Sequence, residues 1–260
     1  MFHVLVTAAL SIASQPMNSA HQEIIDAWLF SSASEETRRQ AVRRLLDDEP
    51  GLARSTRDGQ PLLAYALSLV DTEGELGRRG AELAELLVEK GADVDATDSD
   101  DDPLLIASAR FGRRQSMTFL LTHGAKVDAR DTQGRTALHW VTLLKEDHDG
   151  ENPERTETIL NAAALLLDRK ATLDARDARG WTPLASTAFL GNLELTKFLL
   201  SRGADINAAD EDGYSVLGVC KLRVEETPTK PSFANEEEKA ATRAVIRYLE
   251  EQGAKDMLPR

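Results

Sequence analysis

The chain has 260 residues, 42% of them hydrophobic and 29% charged, which is enough apolar material for a real core and argues against disorder or a collagen-like repeat. Its 31 Lys and Arg against 44 Asp and Glu give a formal charge of -13, a field that repels phosphate backbones and anionic lipid heads and so argues against nucleic acid as a partner. The single cysteine, Cys220, excludes an internal disulfide framework and a cysteine-based zinc cluster, and reads as a small apolar core residue.

The first residues, "FHVLVTAALSIAS", form an apolar run of signal-peptide length that ends in small residues but has no Lys or Arg before it. Two readings of residues 1–20 stay open: a signal peptide, which would make the protein secreted or periplasmic, and a dispensable or misassigned leader on a cytoplasmic chain. From Met17, "MNSAHQEIIDAWLF" opens into a helical pattern that places Trp28 on an apolar, core-facing side.

Beyond this point one phrase recurs. A phrase aligned on Asp-x-x-Gly ahead of a helix opening recurs at Gly59 ("TRDG"), Gly134, Gly180 and Gly213, with Asp101 in the Gly place of a further copy, at spacings of 42, 33, 46 and 33. A second phrase, Gly-Ala, recurs at Gly91, Gly124, Gly203 and Gly253, with Lys170 in the Gly place of the copy between. A period of 33 broken by insertions is the signature of stacked repeats. Within the clearest copy, Thr182 supplies an N-cap hydroxyl ahead of Pro183, whose fixed φ suits the first helical turn. Gly191 can end that helix in a left-handed conformation. Leu193, Leu195, Phe198 and Leu199 then give a second helix its apolar face, and "DINAADEDG" turns the chain back as a hairpin.

These residues resemble the ankyrin repeat, D-x-x-G-x-T-P-L-H followed by a second helix and G-A-D-x-N. The stretch 177–208 fits almost position for position, while other copies depart from it: Ala137 stands for Pro, the copy at Asp101 lacks both Gly and Thr, and the last reads "SVLG". The resemblance implies an all-α solenoid of stacked helix-turn-helix units joined by hairpin loops, spanning 21–256. Its units would be an N-terminal cap (21–55), then 56–97, 98–130, 131–176 and 177–209, and a C-terminal cap (210–256), leaving a tail at 257–260. The extra residues, nine, thirteen and seventeen, would then form long loops between first and second helices of alternate repeats. The middle one carries six acidic residues from Glu146 to Glu157 against Lys145 and Arg155, a charge suited to a basic partner as well as to a solvated loop.

Catalytic and metal chemistry find little support. His139, at the family's T-P-L-H position, is implied to be a hydrogen-bonding strut between units. "DSDDD" (98–102) lacks the Gly and Glu that a calcium loop needs at its sixth and twelfth positions, and His148 has no second His or Cys beside it. No phosphate loop, nucleophile elbow or His-Glu-x-x-His motif is present, so no cofactor, no metal and no enzymatic activity are expected.

Recognition is what remains. In ankyrin proteins partners usually meet the concave face of hairpin tips and first helices, which by register exposes Arg135, Arg179, Trp181, Asp212 and Tyr214. Trp181 and Tyr214 hold the same place in successive units, and Phe111 and Phe189 are read as corresponding first-helix residues. Aromatics beside Arg135 and Arg179 have the composition of an interface hot spot, although packing between repeats explains them equally well. Trp140 reads as core. The expectation is a monomeric, non-catalytic scaffold for a protein partner, a basic one suiting the acidic loops. The alternative is a regulatory or inhibitory, immunity-type subunit of a neighbouring enzyme or toxin.

Overall fold

The computed structural model describes residues 23–57, 59–144, 153–225 and 235–257. The leader, His148, most of the acidic stretch from Lys145 and of the third inserted stretch, and the last three residues lie outside them. The chain divides into two compact units, residues 1–100 and 101–260.

In the first unit a π-helical segment, Asp26–Phe30, is followed by α1 (Glu35–Asp48), a 3-10 turn (Leu52–Arg54) and a short hairpin of β1 (Thr56–Arg57) and β2 (Gln60–Pro61). Ser34 opens α1 by accepting a hydrogen bond from the Thr37 N–H, with Glu35 and Glu36 favourably placed in the first turn. The next two helices, α2 (Leu62–Val70) and α3 (Gly74–Glu89), pack on one another. Leu62, Leu63, Ala66 and Leu67 of α2 and Leu83, Ala84, Leu86 and Leu87 of α3 are buried. Trp28 is fully buried, as expected, and its indole N–H donates to Arg79 O at 2.6 Å.

Among the described residues the second unit has four helix pairs: α4 (Leu104–Arg110) with α5 (Arg114–Thr122), α6 (Ala137–Leu143) with α7 (Pro153–Asp168), α8 (Pro183–Leu190) with α9 (Leu193–Ser201), and α10 (Val216–Val224) with α11 (Glu236–Glu251). First helices pack on first helices (α4 on α6, α6 on α8, α8 on α10) and second on second (α5 on α7, α7 on α9, α9 on α11). This gives two helical layers with the apolar seam between them. No single pair can hide that seam alone, so each repeat leans on its neighbour. Around the last two pairs the seam contains Leu184, Ala188, Leu199, Leu217, Val245, Leu249 and Cys220. Burial pushes the Cys220 thiol up to about 12, consistent with a core residue.

Local chemistry sets the boundaries. Thr182 caps α8 by accepting from the Ala185 N–H, Pro183 is its first residue, and Gly191 ends it at φ +84°. Asn192 caps α9 through the Leu195 N–H, and Ser215 caps α10 through the Gly218 N–H. Where Pro61 and Pro103 replace the hydroxyl residue, α2 and α4 start without a side-chain cap. The two irregular copies of the Gly phrases keep the backbone of the regular ones: Asp101 sits at φ +62° and Lys170 at φ +71°.

The first insertion differs from the long loop expected, while the second and third lie largely outside the described residues. Only Asp71 to Glu73 separate α2 from α3; the rest of "DTEGELGRRG" is the first part of α3. The second helices of the three repeats with insertions, α3, α7 and α11, each run to 16 residues, against nine for α5 and α9. The physical reason is local: Glu75, Leu76, Arg78 and Arg79 are good helix formers, and Glu75 bonds both arginines one turn on, which holds its carboxyl at about 2.

Candidate functional site

The hairpins of the second unit share one construction. Asp131, Asp177 and Asp210 each turn a carboxylate back onto their own hairpin. Asp131 Oδ1 accepts from the N–H groups of Gln133 and Arg135, Asp177 Oδ1 from those of Arg179 and Trp181, and Asp210 Oδ1 from that of Tyr214, all at 2.8–2.9 Å. The tips are also tied to one another: Ala178 N–H donates to Gln133 O at 2.9 Å and Glu211 N–H to Arg179 O at 3.1 Å. The approach is close enough that a methyl at Gly180 would lie 2.7 Å from Glu211 N.

Two arginines clasp successive hairpins. Arg130 Nη1 donates to Gly134 O at 2.5 Å in its own hairpin and to Arg176 O at 2.6 Å in the next. Arg176 repeats this with Gly180 O at 3.3 Å and with Ala209 O. Sequence reasoning missed both residues, although the repeated "DARD" in which they stand carried the signal.

His139 is the strut the resemblance implied. Its Nδ1 accepts from the Thr136 N–H at 3.1 Å and its Nε2–H donates to Trp181 O of the next repeat at 3.0 Å. Burial pushes the imidazole below its ordinary value, with the Trp181 carbonyl and Asp177 pulling weakly the other way. A neutral ring with both nitrogens engaged has no role left as a general base.

Of the residues expected on the face, Arg179 and Asp212 are exposed, as are Thr132, Gln133, Ala178 and Glu211, which occupy the same two places before each Gly. In the second unit the residue after the Gly place turns inward: Arg135, Trp181 and Tyr214 are half-buried, and Asp102 is buried. Trp181 and Tyr214 pack on the same apolar seam, and Asp210 links them, since its Oδ2 accepts from the Trp181 indole at 3.3 Å. Phe189 meets Trp181 edge to face at 5.1 Å, with the Arg223 guanidinium 4.6 Å over it.

Phe111 and Phe189 do not correspond. Phe189 lies inside α8 and half-buried, whereas Phe111 follows the last residue of α4 and is 60% exposed. One residue of slip turns a side chain by about 100° on a helix. Trp140, expected in the core, is half-buried between the guanidiniums of Arg110 (5.6 Å) and Arg135 (5.2 Å), with its indole N–H on Asp131 at 2.8 Å. The structure thus brings Phe111, Trp140 and Arg135 into one arginine-aromatic surface and Trp181, Phe189 and Tyr214 into another.

Helix pairs stacked layer on layer and hairpins bonded tip to tip define a helical repeat protein. The sequence matches the family model for ankyrin repeats (three copies) over residues 75–150 and that for a single ankyrin repeat over 179–211. It is similar to SH3 and multiple ankyrin repeat domains protein 2 of Homo sapiens (28% identity, 54% of this chain and 7% of that protein). It is also similar to neurogenic locus notch homolog protein 2 of Homo sapiens (31%, 57% and 6%) and to ankyrin repeat protein nuc-2 of Neurospora crassa (36%, 48% and 11%). The chain therefore spans about a tenth or less of the length of these relatives. The chain carries ankyrin repeats. Among the described residues no helix is long and apolar enough to cross a membrane.

Proposed function

We propose that the chain is a non-catalytic interaction module that binds a protein partner, as a monomer, through its hairpin tips and first helices. Ankyrin repeats as a class mediate protein–protein interaction. One observation carries the reading to this face: the hairpin backbones are bonded to one another, so the exposed side chains at their tips are set in place before a partner arrives. Such preorganisation lowers the entropy lost on association.

Trp181 is a poor probe of the reading, because its indole bond and its contact with Phe189 tie it to the fold. Phe111, Arg179 and Asp212 are better, since all three are exposed. The test is quantitative capture from the source cell, comparing the intact chain with a Phe111→Ala, Arg179→Glu, Asp212→Lys variant that keeps its unfolding midpoint. A stoichiometric polypeptide held by the intact chain and lost by the variant is the expected result. Equal retention by both overturns the proposal.

A further inference from the structure

We propose that the surface around Phe111 and Trp140 docks an acidic peptide segment with an apolar residue beside its carboxylates; this rests on the interaction reading above and gives its partner a chemistry. Five side chains from two successive repeats alternate guanidinium and ring. Arg113 lies 4.9 Å and Arg110 5.3 Å from the Phe111 ring, and Arg110 lies 5.6 Å and Arg135 5.2 Å from the Trp140 ring. Stacking uses the flat face of a guanidinium, while its N–H donors lie in its plane, so one arginine can rest on a ring and hold a carboxylate edge-on. Asp102, 2.8 Å from Arg110, and Asp177, 3.9 Å from Arg135, orient two members of the series. Phe111 is the most exposed large hydrophobic side chain among the described residues, and exposed Arg114 follows close by. A purely ionic ligand would leave that ring in water, and an apolar residue next to the carboxylates would cover it.

Helix chemistry points the same way. Helix α5 begins at Arg114 with Arg113 in the N-cap place and no side-chain cap, whereas α9 uses Asn192 at the equivalent position. Cations at a helix N-terminus oppose its dipole, and a missing Asn, Ser or Asp forgoes a stabilising bond. The cap is missing at α3 too, with the acidic Glu73 in the N-cap place, whereas α5 puts two arginines at its start, which marks them as retained for something outside the helix. The net charge of -13 does not forbid an acidic ligand. At physiological ionic strength the screening length is about 8 Å, so the nearby Asp102, Asp131 and Asp177 matter most, set against Arg110, Arg113, Arg114 and Arg135.

The experiment is fluorescence anisotropy on the full chain with two labelled synthetic peptides, one built of Glu-Glu-Leu units and one of Lys-Lys-Leu units. The Glu peptide is expected to bind and the Lys peptide to fail. Phe111→Ala should weaken binding about tenfold with an unchanged unfolding midpoint. Arg113→Asn should weaken it by a similar factor while raising the midpoint, because it restores the cap. That combination separates a binding role from a structural one. Equal binding of both peptides, no binding of the Glu peptide, or an Arg113→Asn chain that is more stable and binds as before overturns the proposal. If the Glu peptide fails while cellular capture still depends on Phe111, Arg179 and Asp212, this inference falls and the interaction reading stands. If capture too is indifferent to them, that reading falls as well.

Discussion

Asp101 and Lys170 occupy left-handed backbone, at φ +62° and +71°, in places where sister repeats put Gly. A side chain there costs roughly 1–2 kcal/mol for most residue types and less for Asp. Lys170→Gly should therefore stabilise the chain by about 1 kcal/mol and Asp101→Gly by less, read as the shift in urea midpoint at constant slope. Gly180→Ala should act in the opposite sense and more strongly. It combines φ +76° with a methyl 2.7 Å from the neighbouring hairpin's backbone, and overpacking of this kind costs about 1–3 kcal/mol beyond the conformational term. His139 makes stability depend on pH. Burial holds its folded pKa below the ordinary 6.5, so on acidification the unfolded chain takes a proton that the native ring refuses. The unfolded state then binds more protons, and stability falls as pH drops below 6.5. A urea series between neutral pH and pH 5 should show this component, and His139→Gln should remove it.

At the scale of elements, the contact of α2 with α3 depends on small residues. A methyl at Gly80 would lie 2.6 Å from Leu69 Cβ and 3.0 Å from Ala66 O. Ala is the better helix former by about 1 kcal/mol, yet the collision is with a packed core wall, and overpacking outweighs that gain. Gly80→Ala should lower the thermal midpoint despite its higher propensity. The register of these elements was legible in the sequence because Thr182, Pro183, Gly191 and Asn192 act through their own backbone neighbourhood, so identity and position suffice. Even the odd copies could be read, since Asp101 and Lys170 stand where the phrase requires a left-handed residue. The first inserted stretch reads as a loop because Gly74, Gly77 and Gly80 look like loop punctuation, while helix formers between them and close packing against α2 carry the helix through. The face was read only in part. Spacing locates Arg135 and Trp140 in their repeat, but which rings guanidiniums from other helices cover is decided by stacking between repeats, and no single repeat contains that information.

Across the whole molecule, the charge of -13 and an isoelectric point near 4.9 predict a solubility minimum near that pH, where mutual repulsion between molecules vanishes; turbidity against pH would show it. The second unit is closed at one end by residues 255–257. Lys255 N–H donates to Asn207 Oδ1 at 2.8 Å, Ser215 Oγ–H donates to Lys255 O at 2.8 Å, and Ser215 N–H donates to Met257 O at 3.2 Å. The first of these repeats the bonds that Thr172 makes to Asp128 and Asp205 makes to Asp174 in earlier hairpins. With the Met257 N–H bond to Ser215 Oγ at 3.2 Å these closing contacts make four hydrogen bonds, so a chain ending at Ala254 should lose about 4 kcal/mol, near 1 kcal/mol for each bond removed, with a matching drop in thermal midpoint.

The arginine clasps give this row of hairpins a direction. Arg130 and Arg176 each grip the hairpin that follows them in the chain, and the next position of the series is Ala209, which has no arm to extend. Anyone wishing to lengthen the array by grafting another module would therefore start by writing a guanidinium back at position 209.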